Sequence, residues 1–462
     1  MTTFHSQSIV PHPPAAVFAW HARPGAFARL APPWDATRVV ARQGTIHDGE
    51  RATLKIPFGP LRLTWEAEHF DFVQDQSFRD RQLRGPFSTW EQQHSFQPDG
   101  SGGCVVRDEI DYRLPLGFLG RALAGGNVHR RLTKVMAHRH AALARDLERH
   151  AAFPVAPMRI AIAGCSGFIG SALSAFLSTG GHHVLRLQRP GSRAPVDAVG
   201  TAVAWDPEKQ WIDREALGSV DAFVNLAGAN VGARKWTPEY KKELWSSRVD
   251  VTRFAAQMAA SLSPRPRVFL NGSAIGIYGD CGDAPITESS EPQGGFLREL
   301  GEAWEGAAQP AVEAGIRVVY SRTGLVLSPK DGLLGKLLPL FRLGLGARLG
   351  SGRQGMSWIA IDDLVFAMHQ MLCDESIQGP VNATAPTPVS NRAFTSALAR
   401  MCGIPAPLSV PGFAMRLLRG EFGDETLRGA FIFPKKLQAA GFRFSFPTLP
   451  SALAHLLGRP SI

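Results

Sequence analysis

The segment Gly164-Cys165-Ser166-Gly167-Phe168-Ile169-Gly170 constrains the chain more than any other. It follows the apolar run 158–163 and opens a helical stretch, 167–179, that Gly180-Gly181 closes. Three glycines between a strand and a helix have a specific physical use. The first permits a tight turn. The second lets backbone N–H groups approach a pyrophosphate, and the third lets the helix pack closely on the strand. The helix N-terminus then offers partial positive charge to the phosphates.

The context supports that reading. Further strands are predicted at 184–187, 222–226, 268–270 and 318–320, with helices over 238–262 and 299–313. Such alternation gives an α/β, doubly wound parallel sheet, a Rossmann fold. The end of the second strand selects the cofactor. A site for NAD wants an acid about 20 residues past the glycines, to hold the ribose hydroxyls. From His182 to Val196 there is no Asp or Glu, but there are Arg186, Arg189 and Arg193. Arg189 stands where a 2′-phosphate would lie, and a guanidinium grips phosphate with paired hydrogen bonds. The expected cofactor is therefore NADP(H).

The spacing G-x-x-G-x-x-G resembles the extended, epimerase-like branch of the short-chain dehydrogenase/reductases. Asn225-Leu226-Ala227-Gly228 resembles that superfamily's N-x-A-G motif. Residues 271–279 (NGSAIGIYG) resemble the strand that carries its catalytic hydroxyl. One subgroup is similar over about 158–460, the NADP-binding epimerase-like proteins of the SDR39U1/YfcH type. The matching stretches are 225–236, 247–253, 321–327, 338–355, 358–364 and 381–385. The resemblance implies the fold and NADP binding. Gly164, Ser166, Gly167, Phe168, Ile169, Gly170, Arg189, Asn225, Leu226, Ala227, Gly228, Gly272 and Ser273 are the cofactor-binding candidates. It also implies a short DUF1731-like C-terminal extension, which 407–457 fits.

The catalytic pattern departs from the superfamily. Its usual relay is Tyr-x-x-x-Lys, in which the lysine lowers the phenol pKa. The four tyrosines, at 112, 240, 278 and 320, are followed four residues later by Leu116, Leu244, Gly282 and Gly324. Aligning Trp304-Glu305 puts Leu297 and Gly301 at the Tyr and Lys positions, and Ala274 at the hydroxyl position. Ser273 and Tyr278 remain as catalytic candidates. Arg234, Arg248, Arg322 and Arg353 are candidates for holding an anionic substrate or for a lid, with 335–355 expected as a mobile, basic loop. Asp362-Asp363 is read as a helix cap.

The first third reads differently. Strands at 53–56, 61–67 and 105–110 are separated by turn signals, and short helices are expected at 15–20 and 24–30. A long helix over 118–150 carries a stripe of Leu119, Leu123, Val128, Leu132, Val135, Met136, Leu143 and Leu147, expected to be buried by a curved sheet. This order resembles the START-like, helix-grip family (SRPBCC), an α+β domain. The resemblance implies an apolar ligand, and Trp34, Phe58, Trp65, Phe70, Phe87 and Trp90 are candidates to line its site. The expected division is 1–152, a proline-rich linker 153–157, the nucleotide-binding domain 158–405 and a helical tail 406–462.

Composition removes other classes. The formal charge is +10 and the pI about 9.7. The basic residues lie among acids without a recognition motif, so nucleic acid is not an expected partner. Five cysteines without C-x-x-C spacing argue against zinc and disulfide scaffolds, and no metal is expected. No integral membrane segment or signal peptide is recognised, so the expected compartment is cytoplasmic. The expectation is an NADP(H)-dependent oxidoreductase or epimerase-like enzyme acting on a small, apolar or anionic substrate. The alternative is a catalytically silent NADP(H)-binding sensor or carrier, coupled to a hydrophobic ligand in residues 1–152. Oligomeric state is left open.

Overall fold

The computed structural model describes residues 1–58 and 61–460. They divide into two compact units. One holds Met1–Pro157 with Ser174–His183 and Arg193–Gly200; the other holds Met158–Leu173, Val184–Ser192 and Thr201–Ile462.

The first unit is built from β1 (Thr2–Val10), α1 (Pro14–Ala22), α2 (Ala26–Leu30), β2 (Arg38–Gln43), β3 (Arg51–Phe58), β4 (Leu61–Val73), β5 (Ser77–Arg84), β6 (Thr89–Pro98), β7 (Cys104–Arg113) and the long α3 (Gly117–Ala151). The strands form one antiparallel sheet in the order β1-β7-β6-β5-β4-β3-β2. Cys104, Val106, Asp108, Ile110 and Tyr112 alternate inward along β7, as a half-buried strand requires. Leu132, Met136, Leu143 and Leu147 of α3 cover that face. This is the helix-grip arrangement. The stripe is shorter than expected, because Leu119 and Leu123 are exposed.

A polar row divides this core. The buried Asp108 carboxylate accepts from His94 Nδ1 at 2.6 Å, His140 Nε2 at 2.7 Å and Gln92 Nε2 at 3.0 Å. His94 Nε2 lies 3.3 Å from Asp80. On one side pack Phe18, Phe78 and Phe96; on the other Trp90, Ile110 and Met136. Burial opposes the His94 charge, but Asp108 and Asp80 outweigh it and raise the imidazole to about 9. Burial also opposes the Asp108 charge, yet the two histidines hold it below the usual carboxylate range. Trp65, Phe87 and Trp90 meet ring to ring at 4.9–5.6 Å. Trp34 packs on His138. Phe70 does not line the interior: it lies against the Arg79 and Arg81 guanidiniums, beside Glu68 on the other face of β4. The side chain of Phe58 lies outside the described residues.

The second unit alternates as expected. Its elements are β8 (Arg159–Ala163), α4 (Phe168–Thr179), β9 (His183–Gln188), β10 (Thr201–Asp206), β11 (Trp211–Ile212), α5 (Arg214–Leu217), β12 (Ala222–Asn225), α6 (Pro238–Ser246), α7 (Val249–Ser261), β13 (Val268–Ala274), a 3-10 turn (Ile275–Tyr278), β14 (Pro285–Ile286), α8 (Phe296–Gly306), α9 (Gln309–Glu313), β15 (Arg317–Thr323) and β16 (Leu325–Leu327). Then come α10 (Gly332–Arg342), β17 (Ala347–Leu349), β18 (Gly355–Met356), β19 (Trp358–Ala360), α11 (Ile361–Cys373), β20 (Gly379–Ala383), β21 (Val389–Ser390), α12 (Asn391–Cys402), β22 (Leu408–Val410), α13 (Gly412–Arg419), α14 (Glu421–Glu425), β23 (Phe431–Ile432), α15 (Lys435–Ala439) and α16 (Leu449–Leu457). The main sheet runs β11-β10-β9-β8-β12-β13-β15-β20. It is parallel except for β11. The strand order reverses between β8 and β12, which opens a crevice at their carboxyl ends.

Three local expectations change, and a fourth is extended. The helix over 238–262 is two helices, since Arg248 folds back to donate to the Leu244 and Ala229 carbonyls. The helix over 299–313 also divides, with Pro310 in the first turn of α9. The segment 335–355 is not one glycine loop. Leu334, Leu338 and Phe341 bury one side of α10, and β17 pairs with β22. Asp362 and Asp363 stand in the first turn of α11 as expected, but they also hold the tail. Asp363 accepts the Ser445 and Phe446 N–H groups at 2.8 and 2.9 Å, and Asp362 meets His455 at 2.9 Å.

Candidate active site

The glycine turn has the geometry its spacing requires. Gly164 has φ +77°, and a Cβ there would stand 2.6 Å from the Leu226 carbonyl oxygen. A Cβ on Gly170 would overlap the Gly164 carbonyl and sit 2.9 Å from Cys165 Cα. Gly167 N–H donates to Gly164 O at 3.0 Å, and α4 begins at Phe168. The result is a backbone cradle at a helix N-terminus, beside Leu226, Ala227 and Gly228 at the end of β12. That donor set fits a dinucleotide pyrophosphate. At the end of β9, Gln188 accepts from Arg186 at 3.0 Å. Arg189 follows, exposed, with its guanidinium 2.8 Å from the exposed Glu208.

Beneath the crevice lies a buried amide network. Asn225 Nδ2 donates to Thr252 Oγ1 at 2.8 Å and to Asn271 Oδ1 at 2.9 Å. Trp304 Nε1 donates to the same Thr252 hydroxyl at 3.0 Å. This pins the ends of β12 and β13 to α7 and α8. Arg248 is buried over the Trp304 ring, and desolvation lowers its pKa to about 10.

The ends of β13 and β15 carry a second network. Ser273 and Arg322 are register partners, and both reach Glu305 of α8. Ser273 Oγ donates to Glu305 Oε1 at 2.7 Å. Arg322 grips both Glu305 oxygens at 2.8 Å and donates to the Tyr278 hydroxyl at 2.9 Å. Tyr278 in turn donates to Asn382 Oδ1 at 2.7 Å. Burial opposes the Arg322 charge, but its bonds to Glu305 outweigh that and raise its pKa above the ordinary value. Burial also raises the Tyr278 phenol.

These contacts revise the candidate list. Tyr278 is fully buried with its hydroxyl occupied, so it does not turn toward a crevice. Arg248 and Arg322 spend their donors inside the protein and are not free to clamp an anion. Arg234 lies over the Tyr240 ring and pairs with Glu243, and Arg353 lies 3.9 Å from Asp283. Sequence reasoning missed Glu305, although its neighbour Trp304 served as the alignment marker. No signal in the sequence marks Arg322 as buried, and only the fold shows that it needs a carboxylate partner. Among the described residues, no group of three or more His, Cys, Asp or Glu is placed to hold a metal ion. No described helix is long and apolar enough to cross a membrane.

A glycine cradle at the switch point of a doubly wound sheet defines an NAD(P)-binding Rossmann protein. Comparison with known proteins makes this specific. The NAD dependent epimerase/dehydratase family matches residues 160–382. The polyketide cyclase / dehydrase and lipid transport family matches 10–141, and the domain DUF1731 matches 410–456. An epimerase family protein of Mycobacterium leprae is 43% identical over 303 residues, which span 65% of this chain and 96% of that protein. A chloroplastic SDR39U1 homologue of Arabidopsis thaliana is 33% identical, over 65% of this chain and 87% of that protein. The crystal structure of a nucleoside-diphosphate sugar epimerase from Corynebacterium glutamicum aligns over 98% of this chain and 90% of its own, with TM-score 0.79 and 32% identity. Human SDR39U1, solved with NADPH, aligns over 65% of this chain and 99% of its own, with TM-score 0.60 and 30% identity. The chain belongs to the epimerase family to which SDR39U1 and its homologues belong, with an SRPBCC domain at its N-terminus and a DUF1731 domain at its C-terminus.

Proposed function

We propose that the chain is an NADP(H)-dependent oxidoreductase or epimerase-like enzyme acting on a small, apolar or anionic substrate, with a Ser273–Glu305 pair in place of the Tyr-x-x-x-Lys relay. The carrying observation is that Ser273 Oγ, at the carboxyl end of β13, donates to a carboxylate already fixed by Arg322. A hydroxyl hydrogen-bonded to a held carboxylate can relay a proton: as its oxygen takes one from a substrate hydroxyl, its own passes to the carboxylate, and reduction of a carbonyl runs the reverse. Arg322 holds both Glu305 oxygens in place, and Tyr278 positions Arg322. The cofactor, when bound, supplies hydride transfer. Arg189 and the lack of an acid after β9 favour the phosphorylated cofactor, and human SDR39U1 was solved with NADPH. The functional division is 1–152, 153–157, 158–405 and 406–462. A reducing, cytoplasmic compartment suits the five free thiols.

The test is nicotinamide absorbance during incubation with a broad carbonyl panel. Ser273→Ala and Glu305→Gln are expected to abolish turnover while NADPH still binds. NADPH binding without turnover of any carbonyl refutes the enzyme reading. A second reading then stands: a silent NADP(H)-binding sensor or carrier with a hydrophobic ligand in residues 1–152. Trp90 favours it, because its indole N–H is buried among Trp65, Phe87 and Tyr112 with no hydrogen-bond partner among the described residues. A ligand acceptor would satisfy that donor. Mass spectrometry of compounds extracted from the purified full chain tests this, and an empty extract counts against it.

A further inference from the structure

The start of α3 presents an apolar face to solvent. Leu116, Phe118, Leu119 and Leu123 are 80%, 73%, 62% and 80% exposed. Phe118 with Ala122, and Leu119 with Leu123, form adjacent i,i+4 rows on one side of the helix. Leu116 holds φ +61°, a conformation unfavourable for a leucine, and its side chain stands in water. Four large apolar side chains exposed within eight residues mark a contact surface rather than ordinary scatter.

The charge around this face indicates its partner. From Tyr112 to Arg145, 34 residues contain no Asp or Glu and seven Lys or Arg. Arg130 is seven residues from Leu123 and Lys134 eleven, so both continue the Leu119–Leu123 side of the helix. Asp35 pairs with Arg131 at 2.9 Å. Among the described residues no carboxylate lies within ion-pair distance of Arg113, Arg121, Arg130 or Lys134. An apolar strip continued by unpaired cations complements a surface with anions outside and hydrocarbon beneath. A second copy of the chain would bring cations against cations.

We propose that the first two turns of α3, with Arg121, Arg130 and Lys134, form a docking surface for an anionic lipid bilayer. The helix lies in the headgroup layer, with Phe118, Leu119 and Leu123 reaching the acyl boundary. Each cation near such a surface strengthens binding roughly fivefold, and burial of each leucine by more than about tenfold.

The test is co-sedimentation of the full chain with vesicles of phosphatidylcholine alone or mixed with phosphatidylglycerol. Binding is expected only to the mixed vesicles and falls with added salt. Leu119→Ser/Leu123→Ser is expected to lower binding at least about 100-fold, and Arg130→Gln/Lys134→Gln about 25-fold. Circular dichroism and the melting temperature should match wild type for both, since all four side chains are exposed. Equal binding to both vesicle types overturns the proposal, as does no binding to the mixed ones or unchanged binding by the variants. Concentration-dependent dimerisation that Leu119→Ser/Leu123→Ser abolishes would assign the face to a second copy and overturn it too.

Discussion

Replacing Arg189 by Gln should separate the two nicotinamide cofactors, and the size of the effect follows from its surroundings. A hydrogen bond to a charged group contributes about 1.5–3 kcal/mol. Arg189 is exposed, so the lower end applies. Its guanidinium faces Glu208 at 2.8 Å, and both side chains are exposed. Such a pair is worth about 0–1 kcal/mol, and releasing it subtracts that much from the gain. The net of about 0.5–1.5 kcal/mol predicts NADPH binding weakened roughly 2–13-fold, with NADH unchanged. The same arithmetic has a second arm. Glu208→Gln removes the competitor and should tighten NADPH up to about fivefold, again without effect on NADH. Quenching of protein fluorescence or calorimetry measures both. Equal losses of NADPH and NADH in Arg189→Gln would show that this residue does not read the 2′-phosphate. Weaker NADPH binding in Glu208→Gln would refute the competition.

Gly170→Ala should abolish binding of either cofactor, because its Cβ would overlap Gly164 O and push α4 off the turn; equilibrium dialysis checks this. Glu305→Ala leaves Arg322 buried without its charge partner, so the second unit should lose about 3–5 kcal/mol, whereas Glu305→Leu/Arg322→Met should recover much of that in urea titrations. Stability of the first unit should depend on pH at both ends. His94, raised from 6.5 to about 9, contributes fully below 6.5 and loses its contribution as pH rises through 9. His21 is lowered to about 4 by burial, so its contribution is present above 6.5 and is lost as pH falls toward 4. Scanning calorimetry should show the alkaline loss disappear in His94→Gln; an unchanged alkaline limb would reject the assignment.

The parts legible in sequence were those governed by local chemistry. Three glycines between an apolar strand and a helix specify a turn, and the turn formed with Gly164 at positive φ. Tertiary partners were less legible. Arg248 reads as a cation for an anionic substrate, yet it ends up buried over the Trp304 ring, between α6 and α7. Asp363 reads as a cap, because nothing nearby announces that Ser445 and Phe446, over eighty residues later, offer two N–H groups. The α3 stripe was apolar throughout, but periodicity does not state how far the sheet extends beneath it. Glu305 was hidden for the same reason. Its partners Ser273 and Arg322 become neighbours only through the β13–β15 register.

The missing tyrosine and lysine bear on whether this scaffold could regain the ordinary relay. Leu297 and Gly301 occupy the two positions, and the protein has closed around them. A Cβ on Gly301 would stand 2.9 Å from both Cβ and Cγ1 of Ile277, and one on Gly276 would stand 3.0 Å from Leu297 Cδ1. The α8 helix therefore packs against the 3-10 turn through a glycine on each side, at a distance that leaves no room for a lysine stem. Gly301→Ala alone sets a helix-propensity gain of about 1 kcal/mol against an overpacking cost of about 1–3 kcal/mol. Leu297→Tyr/Gly301→Lys forces a lysine stem against Ile277, and Glu305 one turn on is already held by Ser273 and Arg322, so the double variant should melt below wild type and reduce carbonyls no faster. Thermal melts and NADPH consumption with the same carbonyl panel decide it. A double variant as stable as wild type that oxidises NADPH faster than wild type would mean the relay was lost by drift, with its space preserved. The expected loss of stability would mean instead that α8 and the turn have repacked around its absence, and that any proton transfer must run through side chains already on β13 and α8.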